Sequence, residues 1–88
     1  MNITKVLTDN DLSNSEKIVL MYLYEVNKGN SVTLSGNYVS KQIGMTRMTF
    51  IKAIKGLINK GLIEKVSNFN MYEANTANTY NLKTKKYM

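Results

Sequence analysis

Residues 38–61 read Tyr38-Val39-Ser40-Lys41-Gln42-Ile43-Gly44-Met45-Thr46-Arg47-Met48-Thr49-Phe50-Ile51-Lys52-Ala53-Ile54-Lys55-Gly56-Leu57-Ile58-Asn59-Lys60-Gly61. Two helical patterns flank Gly44. In the first, Val39 and Ile43 are four apart and share an inward face, and Ser35 stands where an N-cap belongs. In the second, Thr46 is the N-cap of a helix that runs to Lys60. Phe50, Ala53, Ile54 and Leu57 form one apolar stripe of that helix, and Met48, Lys52, Lys55 and Asn59 form the opposite face. Gly61 is placed to end it in a left-handed conformation. Two consecutive helices joined by a turn containing glycine are the helix-turn-helix signature.

Upstream, Ser13-Asn14-Ser15-Glu16 has capping-box spacing and predicts a helix over 14–28. Val19, Leu23 and Val26 are expected on its buried face, and Gly29 at its C-terminal cap. Residues 31–35 are β-branched enough for one brief strand. Downstream, 62–69 and 79–83 read as two strands around the polar loop 70–78. The expected fold is therefore mainly α with a small β-hairpin, an α+β winged helix-turn-helix. Its order is helix, short strand, helix, helix, strand, wing loop, strand. Residues 1–12 are expected as a lead-in, partly extended at Ile3–Leu7. The domain proper spans 13–83, and 84–88 is expected as a basic tail that frays.

The 88 residues suit one small domain with one core. Net charge is +6, and its distribution is uneven: residues 36–61 hold Lys41, Arg47, Lys52, Lys55 and Lys60 and no acid. Seven bases and six acids make up the charged residues of the rest. Such a segment favours a polyanionic partner. Cysteine and histidine are both absent. That removes disulfides, thiolate zinc sites and the usual acid–base and nucleophilic groups, so no cofactor, no metal and no enzyme activity are expected. Asp9, Asp11, Glu16, Glu25, Glu64 and Glu73 are scattered without catalytic or metal spacing. The N-terminus lacks a signal-peptide pattern, and no apolar run reaches the roughly 20 residues of a membrane span. A cytoplasmic protein without a membrane partner is the expectation.

The helix over 46–60 meets the demands of the DNA major groove: one face goes to the core, and the other is free of acids. Recognition helices contact bases mainly with their first turns, here Thr46, Arg47, Met48 and Thr49. Arg47 has the fork to pair with guanine O6 and N7, and Thr49 suits a base edge or a thymine methyl. A cation at a helix N-terminus is electrostatically misplaced, which adds to the functional reading of Arg47. Lys52 and Lys55 share the exposed side and reach bases or phosphates. Ser40, Lys41 and Lys65 are expected at phosphates. Lys60, at the helix end, is expected to serve the helix dipole. In the loop, Asn70, Tyr72, Asn75 and Asn78 read first as turn formers, and the lysines at 65, 83, 85 and 86 are the better phosphate candidates. Tyr22 and Tyr24 read as half-buried core residues.

Residues 12–20, 38–47 and 50–63 together resemble the winged-helix module at the N-terminus of plasmid and phage replication initiators and small phage regulators. The resemblance covers about 12–82. It implies a winged helix-turn-helix that binds DNA and regulates transcription or replication of a mobile element. The pattern departs from that family at Met48 and Ile51, where polar or small residues are more usual. With Gly56 they suggest an apolar outer edge suited to a protein partner.

Double-stranded DNA is thus the expected partner. Two alternatives stay open. One is a replication accessory subunit that binds a primase, polymerase or initiator, and single-stranded DNA stacked on Phe69, Tyr72 and Tyr80. The other is a protein-binding adaptor or inhibitor on the same scaffold. A dimer would have to use the helix that carries Tyr22 and Tyr24, or the N-terminal segment.

Overall fold

The computed structural model describes residues 1–27, 31–66 and 78–88. The expectations for Gly29, Phe69, Asn70, Tyr72, Glu73 and Asn75 lie outside the described residues. Helices α1 (Ile3–Leu7), α2 (Asn14–Asn27), α3 (Gly36–Gln42) and α4 (Arg47–Asn59) dominate. A small antiparallel sheet holds β1 (Ser31–Leu34), β2 (Ile63–Val66) and β3 (Asn78–Leu82), with β3 in the middle. Ser31 opposes Asn81 on one side of β3, and Ile63 opposes Leu82 on the other. A short 3-10 turn, Lys85–Tyr87, follows.

Helix starts and stops obey local chemistry. Glu16 N–H donates to Ser13 Oγ at 3.1 Å, and Ser13 N–H donates to Glu16 Oε1 at 2.7 Å, a complete capping box. Ser35 and Thr46 cap α3 and α4 through the amides of Tyr38 and Thr49, both at 3.1 Å. Gly44 and Gly61 have φ of 68° and 74°. These left-handed values let the chain fold back, with Met45 N–H donating to Ser40 O and Leu62 N–H to Leu57 O. One bend turns α3 into α4, and the other turns α4 into β2.

The core is built by Val19, Leu20 and Leu23 of α2, Val39 of α3, and Phe50, Ala53, Ile54 and Leu57 of α4, all buried. Leu62, Ile63 and Tyr80 close it from the sheet side. Each Leu- or Phe-sized side chain so buried contributes roughly 1.5–3 kcal/mol of transfer free energy. Val26 departs from expectation: it is 48% exposed, and Leu20 takes the inward place beside Val19 and Leu23.

Both ends depart further. Residues 3–7 are helical, with Asn2 as N-cap, and not extended. The fraying expected of 84–88 does not occur: Thr84 is 5% and Tyr87 1% exposed. The Tyr87 hydroxyl donates to Asp9 Oδ2 at 2.6 Å, the Asn2 amide donates to Tyr87 O, and Lys5 Nζ donates to Met88 O at 3.0 Å. Lys86 pairs with the same Asp9 oxygen at 3.0 Å. Val6, Leu12 and Tyr87 join the main core, so the two ends close one side of it.

Candidate nucleic-acid interface

The geometry of α4 follows from its two faces. Phe50, Ala53, Ile54 and Leu57 lock one side against α2 and α3. The exposed side presents Arg47, Met48, Lys52, Lys55 and Asn59, with Thr46 at the cap and Lys41 exposed on α3. Met48 is 68% exposed. No acid stands in the first turn of α4. Thr46 is tied to its helix: its hydroxyl donates to Thr49 Oγ1 at 2.9 Å while accepting the Thr49 amide. Thr49 itself is half-buried.

Ser40 is not on this surface. It is 4% exposed, and its hydroxyl donates to the carbonyls of Gly36 at 2.8 Å and Asn37 at 3.2 Å. A serine one turn into a short helix returns its hydroxyl to the preceding turn. Lys65 is exposed on β2, opposite Tyr80. Lys83 pairs with Glu64 at 3.0 Å and Lys86 with Asp9 at 3.0 Å, so these two phosphate candidates meet acids within the chain. Tyr22 and Tyr24 are half-buried, and the Tyr24 hydroxyl accepts from the Met1 ammonium at 2.9 Å.

Lys60 also departs from the dipole role. Its ammonium donates to both oxygens of Glu16, at 2.7 and 2.9 Å. Burial pushes the Glu16 carboxyl up, but the Lys60 bonds and the Ser13 amide outweigh it and hold the group below the usual carboxylate range. The residue that makes room is Gly56. A Cβ there would overlap Glu16 Oε2 and stand 2.9 Å from Cδ. Of the suggested apolar outer edge, Met48 is exposed, whereas Gly56 faces Glu16 and Ile51 packs against the core as a partly buried residue. Sequence reasoning misses this meeting of Glu16, Gly56 and Lys60. Its one signal is a glycine inside an otherwise strong helix, which costs roughly 1 kcal/mol against alanine unless packing needs it.

The consequence for the site is electrostatic. Glu16 borders a shallow cleft beside Ser13, Ser15, Thr49, Lys52 and Ala53, so an acid does approach the basic face. Its charge is met by Lys60 at the far end of α4. Among the described residues, no three His, Cys, Asp or Glu side chains are placed to hold a metal ion. No described helix is long and apolar enough to cross a membrane.

A helix held by its apolar face, preceded across a glycine turn by a shorter helix, and presenting a basic outer face with no acid of its own defines a helix-turn-helix DNA-binding module. The helix-turn-helix domain family matches residues 10–63, from just before the α2 capping box to the start of β2. The chain belongs to that family. No curated protein matches it.

Proposed function

We propose that this chain is a non-catalytic protein that reads double-stranded DNA with α4 in the major groove and regulates transcription or replication of a mobile element. On this reading β2 and β3 are the arms of a wing, which makes the domain a winged helix-turn-helix. Arg47 and Thr49 take base edges, Met48 a thymine methyl or sugar, and Lys41, Lys52, Lys55 and Lys65 the phosphates. Thr46 holds the first turn in shape. Ser40 supports the turn from within and does not touch DNA.

The observation that carries the reading is the division of α4 into a buried apolar stripe and an exposed face with Arg47, Lys52 and Lys55 and no acid. In a helix-turn-helix module the reading helix needs both, because the core sets its position in the groove and the exposed face makes the contacts.

Fluorescence anisotropy with labelled random duplex and single-stranded oligonucleotides, at low and moderate salt, tests it. The expected result is duplex binding that weakens steeply with salt, and its loss in an Arg47→Glu/Lys52→Glu variant that keeps its fold. Equal binding by variant and wild type would overturn the assignment of α4. Preference for single strands would favour the replication-accessory reading.

A further inference from the structure

Ser13 and Ser15 at the start of α2 and Thr49, Lys52 and Ala53 of α4 line a shallow cleft of about 300 Å³, with Glu16 in its wall. Its hydrogen-bond accounting is one-sided. Ser13 Oγ accepts the Glu16 amide at 3.1 Å, and Thr49 Oγ1 accepts from the Thr46 hydroxyl at 2.9 Å. A hydroxyl carries one proton beside its lone pairs, and the Ser13 proton has no acceptor among the described residues. The Ser15 hydroxyl and the Lys52 ammonium have no partner among them either. Three donors from two elements therefore border one space without an acceptor to fill it.

The acid in the wall does not supply that acceptor. Glu16 Oε1 takes the Ser13 amide at 2.7 Å, and both Glu16 oxygens take the Lys60 ammonium, at 2.7 and 2.9 Å. The Glu16 side chain is 8% exposed, so its charge is set back and met, and Lys52 is the uncompensated charge of the lining. A second cleft, beside Ile58, Ile63, Glu64, Lys65 and Lys83, lacks this balance: Glu64 and Lys83 close on each other at 3.0 Å, and two isoleucines supply much of the remainder. A ligand for the first cleft must accept hydrogen bonds and carry negative charge. A phosphate group does both, with charge-assisted bonds to ammonium and hydroxyl donors.

We infer that this cleft is a phosphate site, held by the Lys52 ammonium and the Ser13 and Ser15 hydroxyls. The inference rests on the DNA reading for the source of the phosphate, which is the backbone of the bound duplex. A helix with its side chains is roughly 10–12 Å across and the major groove about 12 Å wide, so with α4 in the groove the phosphates of the walls lie against its flanks. The cleft occupies one such flank. A phosphate seated there carries no base information; it fixes the depth and register of α4. It also brings α2, which lies outside the two helices that turn at Gly44, into contact with DNA.

Backbone-amide NMR of the full chain tests it, with inorganic phosphate titrated against chloride at matched ionic strength. Wild type, Ser15→Ala and Ser15→Asp are compared. Alanine is the better helix former and an acid is favoured in the first turn of a helix, so unfolding should show neither variant less stable than wild type. The expected result is a saturable phosphate response confined to residues 13–16 and 49–53. Ser15→Ala should weaken it by about threefold or more, and Ser15→Asp should abolish it. A response that is absent, that spreads equally over Lys41, Lys55 and Lys65, or that survives Ser15→Asp overturns the site. Duplex anisotropy on the same proteins identifies the source and separates the two proposals. Duplex binding whose log–log salt slope falls by about 0.9 in Ser15→Asp assigns the phosphate to the DNA backbone. Duplex binding that Ser15→Asp leaves unchanged keeps the DNA reading and removes the cleft from it. A phosphate response without duplex binding leaves a site for free phosphate and removes the DNA reading.

Discussion

The Glu16 carboxylate of α2 lies against the bare Cα of Gly56 in α4, where a Cβ would overlap it. Three constraints meet on that carboxylate: the Ser13 amide, the Lys60 ammonium and the missing side chain at 56. Gly56→Ala raises helix propensity by up to about 1 kcal/mol, yet must displace Glu16 from its cap and its ion pair. The displacement wins, because the carboxylate is 8% exposed and has both partners to lose. Denaturant unfolding is expected to show a net loss of about 1–3 kcal/mol. In a Glu16→Ala background the same change should stabilise, since the obstruction is gone and the propensity gain remains. That reversal of sign is the check.

Lysines on and just beyond α4 should separate into two kinds. Lys60→Ala strands a mostly buried carboxylate and is expected to cost about 1–2 kcal/mol, the lysine being about a third exposed and partly screened. It should leave the salt dependence of duplex binding unchanged. Lys52→Ala and Lys55→Ala should leave stability within about 0.5 kcal/mol and lower the log–log salt slope by about 0.9 for each phosphate no longer neutralised. Parallel unfolding curves and salt titrations decide it; a slope change in Lys60→Ala with none in Lys55→Ala would reverse the assignment.

Thr46 tests whether the start of α4 is set locally. Its side chain supplies the N-cap acceptor for the Thr49 amide. Thr46→Ala is expected to cost about 1 kcal/mol of stability, while Thr46→Ser or Thr46→Asp retains most of it. Thermal unfolding of the three variants gives the comparison.

Local chemistry is what the sequence makes legible. The Ser13–Glu16 capping box, the caps at Ser35 and Thr46, and the reversals at Gly44 and Gly61 each depend on residues a turn or so away. The two faces of α4 follow from a helical period that a single stretch displays. Long-range pairings stay hidden. Lys60 meets Glu16 across 44 positions and Tyr87 meets Asp9 across 78, and no periodicity announces either. Lys86 and Tyr87 therefore read as part of a fraying tail, although the tyrosine carries enough apolar surface to fold back onto α1. Ser40 misleads for a different reason: serine serves equally as a phosphate ligand and as a donor to its own preceding turn, and burial alone separates the two.

The clasp between Asp9 and Tyr87 makes stability depend on pH at both extremes. The Tyr87 hydroxyl, the Asp11 amide and Lys86 together hold the Asp9 carboxyl down at about 2, against an ordinary 3.8. A carboxyl whose folded value is depressed stabilises the fold above its unfolded value, and that contribution is lost as pH falls through the folded one. The acid loss attributable to Asp9 therefore runs from about pH 4 down to about 2. Glu16, also held below its ordinary value, adds to the same leg. Burial, then the Asp9 bond, push the Tyr87 hydroxyl above its ordinary 10.0. Here the neutral form is the favoured one, so the contribution is complete below about pH 10 and is lost as pH rises beyond it. Tyr87→Phe keeps the ring buried but removes the bond. Unfolding measured from about pH 2 to about pH 11 should show a shallower fall on both sides than in the wild type. Asp9, followed by its carboxyl resonance, should titrate closer to 3.8, with the Asp11 amide and Lys86 still lowering it somewhat. Tyr87→Ala removes the ring as well and is expected to cost about 3 kcal/mol at neutral pH, because Tyr87 is 1% exposed. An unchanged Asp9 titration in Tyr87→Phe would show that the Asp11 amide and Lys86 set that carboxyl, and that the hydroxyl bond is incidental to the way the two ends are held.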